Sequence, residues 1–303
     1  SFPSFTAAVS AMRTQAGARR EAVESALARA TQAHHALIRQ HATGAFPEAV
    51  DSAEQVRAAL TDAYSLTQPA RAGEFRGVWD HDGVGWYPGD WDRTCRELKS
   101  QGITAIFPNV LWAGLAHYPS KVVPGSGTLR RMGDQMKACL AAARRNGLQV
   151  HAWKVLWQVE NAPADFLARL RKEGRLQQSL DGKPVLWMNP AVPANVNQEL
   201  AAIEELARNY QLDGIHLDYV RYPSGDTCYA PASRRIFEGW SGKVLGPWPR
   251  SVMSGQGRAD YRRWRASLMT DFVRQAHRRV KAINPNLKLS AAVWGGYPDT
   301  IDS

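Results

Sequence analysis

The chain has 303 residues, of which 44% are hydrophobic and 22% charged, with a formal net charge of +10. This is enough apolar content for a large core, yet the longest apolar runs are far shorter than the roughly 20 residues of a membrane span. Three cysteines without a C-x-x-C pair argue against a disulfide framework, and Lys and Arg residues spread along the whole chain indicate a basic solvated surface and not a nucleic-acid-binding tract.

The first part of the chain is predicted to be helical. Residues 4–42 are rich in Ala, and their apolar residues recur at helical spacing, which predicts one long helix. The breaker TGAFP then precedes a second predicted helix over 52–66. We expect an antiparallel helical hairpin that forms an N-terminal extension over 1–72. The segment 68–73, with its Pro and Gly, is the predicted boundary.

From residue 74 onwards, strand patterns alternate with helical patterns, which is typical of a parallel sheet with helical crossovers. The predicted strands are 75–80, 103–110, 148–157, a segment that begins at Asp213, and 287–294. The predicted helices are 90–100, 129–146, 164–173, 194–210 and an amphipathic helix from Tyr261 to Val280. The Asp181-Gly182 turn predicts a small hairpin on the barrel top, and the long loop of about thirty residues after the fourth strand is predicted to be functional.

This alternation predicts an α/β protein of the (β/α)8 TIM-barrel type over residues 74–303, with five strand-helix units visible. A closed barrel needs eight units, so we expect the barrel to be incomplete at its C-terminal end. A longer natural chain or another polypeptide would supply the remaining units.

The most informative stretch is 213–223, with the sequence DGIHLDYVRYP. Ile215 and Leu217 alternate with His216 and Asp218, which predicts a strand with polar groups on one face. A central parallel strand is normally apolar on both faces, whereas a barrel strand carries catalytic side chains towards its carboxyl end. We therefore predict that Asp218 is the catalytic carboxylate and that His216 orients it by hydrogen bonding.

Further polar and aromatic residues fall at the carboxyl ends of the predicted strands. The predicted substrate-binding residues are Asp80, Asn109, His151, Trp153, Lys154, His216, Tyr219, Arg221 and Trp294. Carboxylates handle protons, amide and imidazole groups bind hydroxyls, and aromatic faces stack on sugar rings. This mixture of side chains predicts a sugar-binding site.

Several of these residues also have a structural interpretation. Asp218 can instead pair with Lys154 or Arg221 and hold the barrel mouth together. His151 can be a hydrogen-bonded core histidine, and any of the tryptophans can be a core residue.

Glycoside hydrolysis also needs a second carboxyl group, about 5 to 10 Å from the first. The candidates are Asp80, Asp82, Asp299 or a residue of the missing units. The run from Asp80 to Asp82 resembles a metal-binding cluster, but consecutive residues at a strand end point in opposite directions. We therefore predict no metal site.

Four segments together resemble the glycosyl-hydrolase-like family ten proteins. They are FRGVW at 75–79, the 107–120 stretch with its YPS, VHAW at 150–153, and the 213–223 motif. The resemblance covers residues 74–303 and implies a TIM-type barrel that acts on glycosidic bonds in a bacterial envelope or extracellular setting. The GIHLD portion is also similar to the fourth-strand motif of α-amylases, whose aspartate is the nucleophile, although an arginine stands there in place of His216.

These observations predict a glycoside hydrolase that uses Asp218 on a polysaccharide, with bacterial cell-wall glycan as a candidate substrate. The alternative is a non-catalytic carbohydrate-binding or scaffold protein on a degenerate barrel. We expect no cofactor, no nucleic-acid partner and no membrane span, and a periplasmic or secreted location with any signal peptide already removed. The oligomeric state is not predicted.

Overall fold

Helices form the first unit of the computed structural model, which describes residues 2–68, 73–225 and 227–293, apart from the side chain of residue 18. This unit, Ser1–Glu74, contains α1 (Phe5–Gln15), α2 (Arg20–Ala42) and α3 (Phe46–Thr67). Its core contains apolar side chains from all three helices, among them Met12, Leu27 and Ala63.

The predicted single helix over 4–42 is wrong, because the chain leaves the α-helical path between α1 and α2. A short 3₁₀ turn occupies Gly17–Arg19, and Gly17 has a φ of +49°. Both helices bury their apolar residues in the same small core, so the apolar periodicity continues across the break. The periodicity alone therefore could not reveal it.

Strands and helices alternate through the second unit, Phe75–Ser303. The strands are β1 (Gly77–Asp80), β2 (Ala105–Trp112), β3 (Leu115–Ala116), β4 (Gln149–Val155), β5 (Leu176–Gln178), β6 (Pro184–Met188), β7 (Gly214–Asp218) and β8 (Lys288–Ala291). The helices are α4 (Trp91–Ser100), α5 (Gly127–Met132), α6 (Gln135–Asn146), α7 (Ala164–Lys172), α8 (Pro193–Asn209), α9 (Pro231–Ser241) and α10 (Gly255–Ile283).

Five of these strands form a parallel sheet in the order β1-β2-β4-β7-β8. The α/β class and the parallel sheet are therefore confirmed, whereas closure into a barrel is not seen in the part of the chain that the structure describes. The short β3 pairs antiparallel with β2. The β5 and β6 strands form the predicted hairpin around Gly182, whose φ is +79°.

Two helical predictions needed correction in this unit. The predicted helix over 129–146 is two helices, because the chain turns at Gly133 with a φ of +73°. The predicted long loop after the fourth strand contains α9, which starts with Pro231 in its first turn and buries Phe237. The predicted helix end at residue 146 is confirmed, since Gly147 directly follows α6 in the left-handed conformation with a φ of +64°.

The two faces of the parallel sheet have different partners. Ile106, Ala152 and Leu217 belong to the main apolar core, together with helix residues such as Leu140 and Phe272. The opposite face, which we call the inner face, carries Phe107, Trp153 and His216, whose rings contact one another or Trp79. Because side chains alternate along a strand, every strand residue is assigned to one of these two faces.

Candidate functional site

A pocket of about 190 Å³ lies where the inner face reaches the carboxyl ends of β2, β4 and β7. Its lining residues are His81, Asp82, Asn109, Trp112, Trp153, Val155, Asp218 and Tyr219. Two carboxylates, an amide and three aromatic rings therefore share one small space. A larger and more open groove of about 370 Å³, between residues 120–124 and the start of α7, contains none of the predicted site residues.

Asp218 is the last residue of β7, and its half-buried side chain faces the pocket. Its Oδ2 accepts a hydrogen bond of 3.2 Å from the indole N–H of Trp153, and its Oδ1 accepts one of 2.7 Å from the backbone N–H of Tyr219. Two N–H donors therefore hold the carboxylate in place and stabilise its negative charge.

The chain turns sharply directly after this carboxylate. Tyr219 has a φ of +55°, which is uncommon for a residue other than glycine and is found at functional sites when the surroundings enforce it. The ring of Tyr219 stacks on Trp187 of β6, with centroids 5.1 Å apart, and the Arg221 guanidinium lies over the Tyr219 ring at 4.3 Å. Arg221 is thus next to a pocket wall without being part of the pocket lining.

Trp153 connects the two sides of the pocket. It lies opposite His216 in the sheet register, and its buried ring forms a T-shaped contact with the His81 ring at a centroid distance of 4.7 Å. Because its N–H also binds Asp218, this one side chain ties the segment after β1 to the end of β7.

His216 and His151 lie deeper on the inner face than the pocket does, so neither of these predicted ligand contacts lines it. The predicted hydrogen bond from His216 to Asp218 is wrong, because the donors to Asp218 are Trp153 and Tyr219. His216 Nδ1 lies 2.9 Å from the Ser290 hydroxyl instead, and burial lowers the pKa of the ring. Burial, together with the nearby charge of Lys288, lowers the pKa of His151 to about 4. His151 stacks on Phe107, as a core histidine does.

Lys154 is turned away from the pocket, contrary to expectation. Its side chain is fully buried and forms an ion pair with Glu199 of α8, which also accepts a 3.3 Å hydrogen bond from the Trp157 backbone N–H. The physical reason is strand alternation, because Trp153 occupies the inner face and its neighbour must point towards the helices.

Asp80 also differs from expectation, for the same reason. Its neighbour Trp79 is on the inner face, so the Asp80 carboxyl is buried on the other side of β1 and does not line the pocket. Its Oδ2 accepts a 2.9 Å hydrogen bond from the Gly85 N–H, and burial raises its pKa. Asp80 therefore fixes the segment that follows β1.

Asn109 is placed as expected, in the pocket wall. Its side chain is 3% exposed, and its Oδ1 has no hydrogen-bond partner among the described residues. Buried polar atoms are normally satisfied, so this oxygen is available to a donor on a ligand. Trp294, the remaining predicted binding residue, lies outside the described residues, as does Asp299.

Three lining residues were not among the predicted substrate-binding residues, namely His81, Trp112 and Val155. Asp82 was predicted only as one candidate for the second carboxyl group. Strand alternation identifies Val155, which is two residues after Trp153 on β4. Trp112 could not be found in this way, because the pairing of β2 with β4 shifts register between Asn109 and Leu111. A one-residue shift of this kind changes which side chains face inwards.

No group of three or more His, Cys, Asp or Glu side chains within the described ranges is arranged to hold a metal ion. No helix of these ranges is long and apolar enough to cross a membrane.

Comparisons with known proteins give a family and a fold. The family model Glycosyl hydrolase-like 10 matches residues 74–300. Glycosyl hydrolase YngK of Bacillus subtilis (strain 168) is 20% identical over 216 residues, which cover 68% of this chain and 40% of that protein. An S-layer-related protein of Niallia circulans is 31% identical over 122 residues, which cover 36% of this chain and 8% of that protein. The chain thus spans less than half the length of either relative.

Among solved structures, the PgaB (BpsB) glycoside hydrolase domain from Bordetella bronchiseptica is similar in fold, with a TM-score of 0.56 and 15% identity. The match covers 72% of this chain and 64% of that one. Alpha-L-fucosidase isoenzyme 2 from Paenibacillus thiaminolyticus is also similar in fold, with a TM-score of 0.55 and 18% identity over 76% of this chain and 34% of that one. At these identities the likeness shows the fold alone.

Proposed function

We propose that this chain, which belongs to the Glycosyl hydrolase-like 10 family, hydrolyses glycosidic bonds of a polysaccharide at the pocket around Asp218. The family supports a glycan-hydrolase kind of function. The observation that carries the assignment is the position of the Asp218 carboxylate, which reaches an open pocket between aromatic side chains and is held there by two N–H donors.

This arrangement suits the chemistry of glycoside cleavage. Breaking a glycosidic bond leaves positive charge on the anomeric carbon and the ring oxygen, and a fixed carboxylate either stabilises that charge or attacks the carbon. Asp218 takes this role because Trp153 and the Tyr219 N–H keep its charged oxygens in one position. Little reorganisation is then needed when charge develops on the sugar.

The other walls of the pocket match a sugar ring. Trp112, which is 44% exposed, offers an aromatic face for stacking. The unpartnered Oδ1 of Asn109 accepts a hydrogen bond from a hydroxyl or amide N–H group. A pocket of about 190 Å³ is small, so it holds one ring of a longer chain, and the remaining rings extend outside it.

We propose bacterial cell-wall glycan as the substrate class and the envelope or the exterior of the cell as the location. The name of the S-layer-related relative supports the location, and the net charge of +10 favours anionic polymers. Carboxyl groups and water suffice for the proposed reaction.

The direct test is Asp218→Asn, assayed by the release of reducing ends from purified bacterial peptidoglycan and from soluble chitin oligosaccharides. The variant keeps the shape of the side chain and loses its charge, so we expect the rate to fall by about 10³-fold or more with an unchanged melting temperature. Asp271→Asn, which changes an exposed carboxylate on α10, is the matched control and should retain full activity.

Substantial hydrolysis by the Asp218→Asn variant would reject the assignment. If the unaltered chain binds these glycans but hydrolyses none of them, the chain is a carbohydrate-binding protein on a barrel scaffold. Binding to DNA with a steep salt dependence and no glycan binding would instead indicate a nucleic-acid-binding protein.

A further inference from the structure

We infer that Asp82 is the second carboxyl group of this site and gives a proton to the glycosidic oxygen while Asp218 faces the anomeric carbon. This inference rests on the proposed hydrolase function. It adds the residue that the sequence could not identify among several candidates.

The position of Asp82 in the pocket is the first argument. A proton donor must reach the same glycosidic bond as Asp218, so both carboxyl groups must open onto one space. Within residues 2–68, 73–225 and 227–293, Asp82 and Asp218 are the acidic residues that line the pocket. Asp80, the neighbouring candidate, is buried on the other side of β1 and bound to the Gly85 N–H.

The second argument is the contrast between the two carboxyl groups. Asp218 accepts two N–H hydrogen bonds, which hold its carboxylate in one position. Asp82 is exposed to the pocket, and no side-chain hydrogen bond or ion pair of Asp82 is found among the described residues. The Asp82 carboxyl can therefore turn towards a glycosidic oxygen in the pocket without breaking a hydrogen bond of the described structure.

The third argument is the rigidity of the segment that carries Asp82. The Asp80 side chain binds the Gly85 N–H, and the Asp80 carbonyl accepts a 3.3 Å hydrogen bond from the Gly83 N–H. Gly83 lies so close to β2 that a Cβ there would be 2.1 Å from the Asn109 carbonyl oxygen. His81 contacts Trp153, the donor to Asp218. The backbone segment that carries Asp82 is thus held against β2 and Trp153, which fixes where Asp82 enters the pocket relative to Asp218.

The reaction consumes one water molecule. Asp82, as the acid, transfers its proton to the glycosidic oxygen as the bond from that oxygen to the anomeric carbon breaks, and the bonding electron pair stays on the oxygen. Asp218 balances the positive charge at the anomeric carbon. Water then adds to that carbon and returns a proton to the Asp82 carboxylate, which restores the enzyme.

The titratable groups that surround Asp82 in the described structure matter for a pH test. They are Asp80 on β1, His81 beside it, His117 after β3, and Asp218 on β7. Burial lowers the pKa of His117, whose Nδ1 lies 2.9 Å from the Ser126 hydroxyl, and the charge of Asp82 opposes that lowering. His117 can therefore also shape the pH profile of the activity, so the test must remove the Asp82 carboxyl alone.

The test compares kcat and KM of the full chain with those of Asp82→Asn across a pH series, with purified bacterial peptidoglycan as the substrate. We expect kcat to fall by roughly 10²- to 10⁴-fold with little change in KM. The fall of kcat on the alkaline side, where an acid has lost its proton, should disappear from the residual activity. Asp92→Asn, an exposed carboxylate of α4 outside the pocket, is the matched control and should keep both rate and profile.

The possible results separate this inference from the proposed function. If the unaltered chain is active and Asp82→Asn keeps both its kcat and the alkaline fall of kcat, the role of Asp82 is overturned. The proposed role of Asp218 is then unaffected. If Asp82→Asn has a lower kcat but keeps the alkaline fall of kcat, Asp82 positions the substrate and does not donate the proton. This result also overturns the inference. If the unaltered chain hydrolyses no peptidoglycan, the proposed function and this inference fall together.

Discussion

Lys154 and Glu199 form a buried ion pair behind the strand that carries Trp153. Taking two charges out of water is costly, and only their close pairing offsets that cost. Glu199 also accepts the Trp157 backbone N–H, which lies just past the end of β4. The ion pair therefore holds α8 against the end of β4. The opposite face of β4 forms a wall of the pocket.

Lys154→Met should destabilise the fold strongly, because it leaves the Glu199 carboxylate buried without its partner. We expect the free energy of unfolding to fall by about 3–5 kcal/mol, as measured by chemical denaturation. The double variant Lys154→Met with Glu199→Leu removes both charges and should recover most of that loss. If the single and double variants have the same free energy of unfolding, the two side chains stabilise the fold through their packing and not through their charges.

At the residue scale, the sequence predicted the position of a side chain correctly where the alternation of apolar and polar residues indicated its face of the strand. The alternation of Ile215 and Leu217 with His216 and Asp218 predicted a strand with Asp218 on the polar face, and the structure has Asp218 in the pocket. Trp153 and Lys154 were both assigned to the site, although adjacent strand residues cannot share a face. A buried lysine paired with a distant glutamate leaves no local sequence signal.

At the scale of elements, the segment after β1 positions one side of the pocket. Gly83 has a φ of +64° and approaches the backbone of β2. Gly182 in the β5 to β6 turn has a φ of +79°, and a Cβ added there would meet no atom within 4 Å beyond its chain neighbours. Both conformations are unfavourable for an L-residue, but only Gly83 lacks room for a Cβ. Substitution of Gly182 should therefore introduce backbone strain alone, whereas substitution of Gly83 should introduce strain and also displace the site.

Gly83→Ala should displace the segment that carries His81 and Asp82 and lower kcat/KM by up to about 10²-fold in the peptidoglycan assay. Gly182→Ala should cost about 1 kcal/mol of stability from the same kind of strain and leave kcat/KM unchanged. If the two variants lose activity equally, the position of the segment after β1 is not important for catalysis.

The elements with clear local signals were predicted well. The left-handed Gly147 at the end of α6 and the hairpin around Gly182 are examples, because a turn or a helix end needs particular residues. The division between α5 and α6 was missed, since Gly133 lies inside an otherwise helical pattern. The helix α9 was missed because the surrounding Pro, Gly and Trp residues suggested a loop.

At the scale of the whole molecule, each unit has its own apolar core, one formed by α1 to α3 and one by the parallel sheet with its helices. We propose that the site depends on the second unit alone, because its pocket residues all belong to Phe75–Ser303. The sequence predicted this unit from alternating strand and helix patterns, and the family match covers the same part of the chain.

A chain that contains residues 74–303 alone should therefore fold and hydrolyse peptidoglycan with the kcat/KM of the full chain. Circular dichroism and thermal unfolding check the fold, and the reducing-end assay checks the activity. A truncated chain that folds but loses hydrolysis would show that the helical unit contributes to the active protein.

The closest test of the role of Asp218 is a crystal structure of the Asp218→Asn variant soaked with a soluble peptidoglycan fragment. A sugar ring should occupy the pocket against Trp112, with its anomeric carbon about 3–3.5 Å from the side chain at position 218. A fragment bound in the groove beside α7, or at another surface with this pocket empty, would contradict the proposed role.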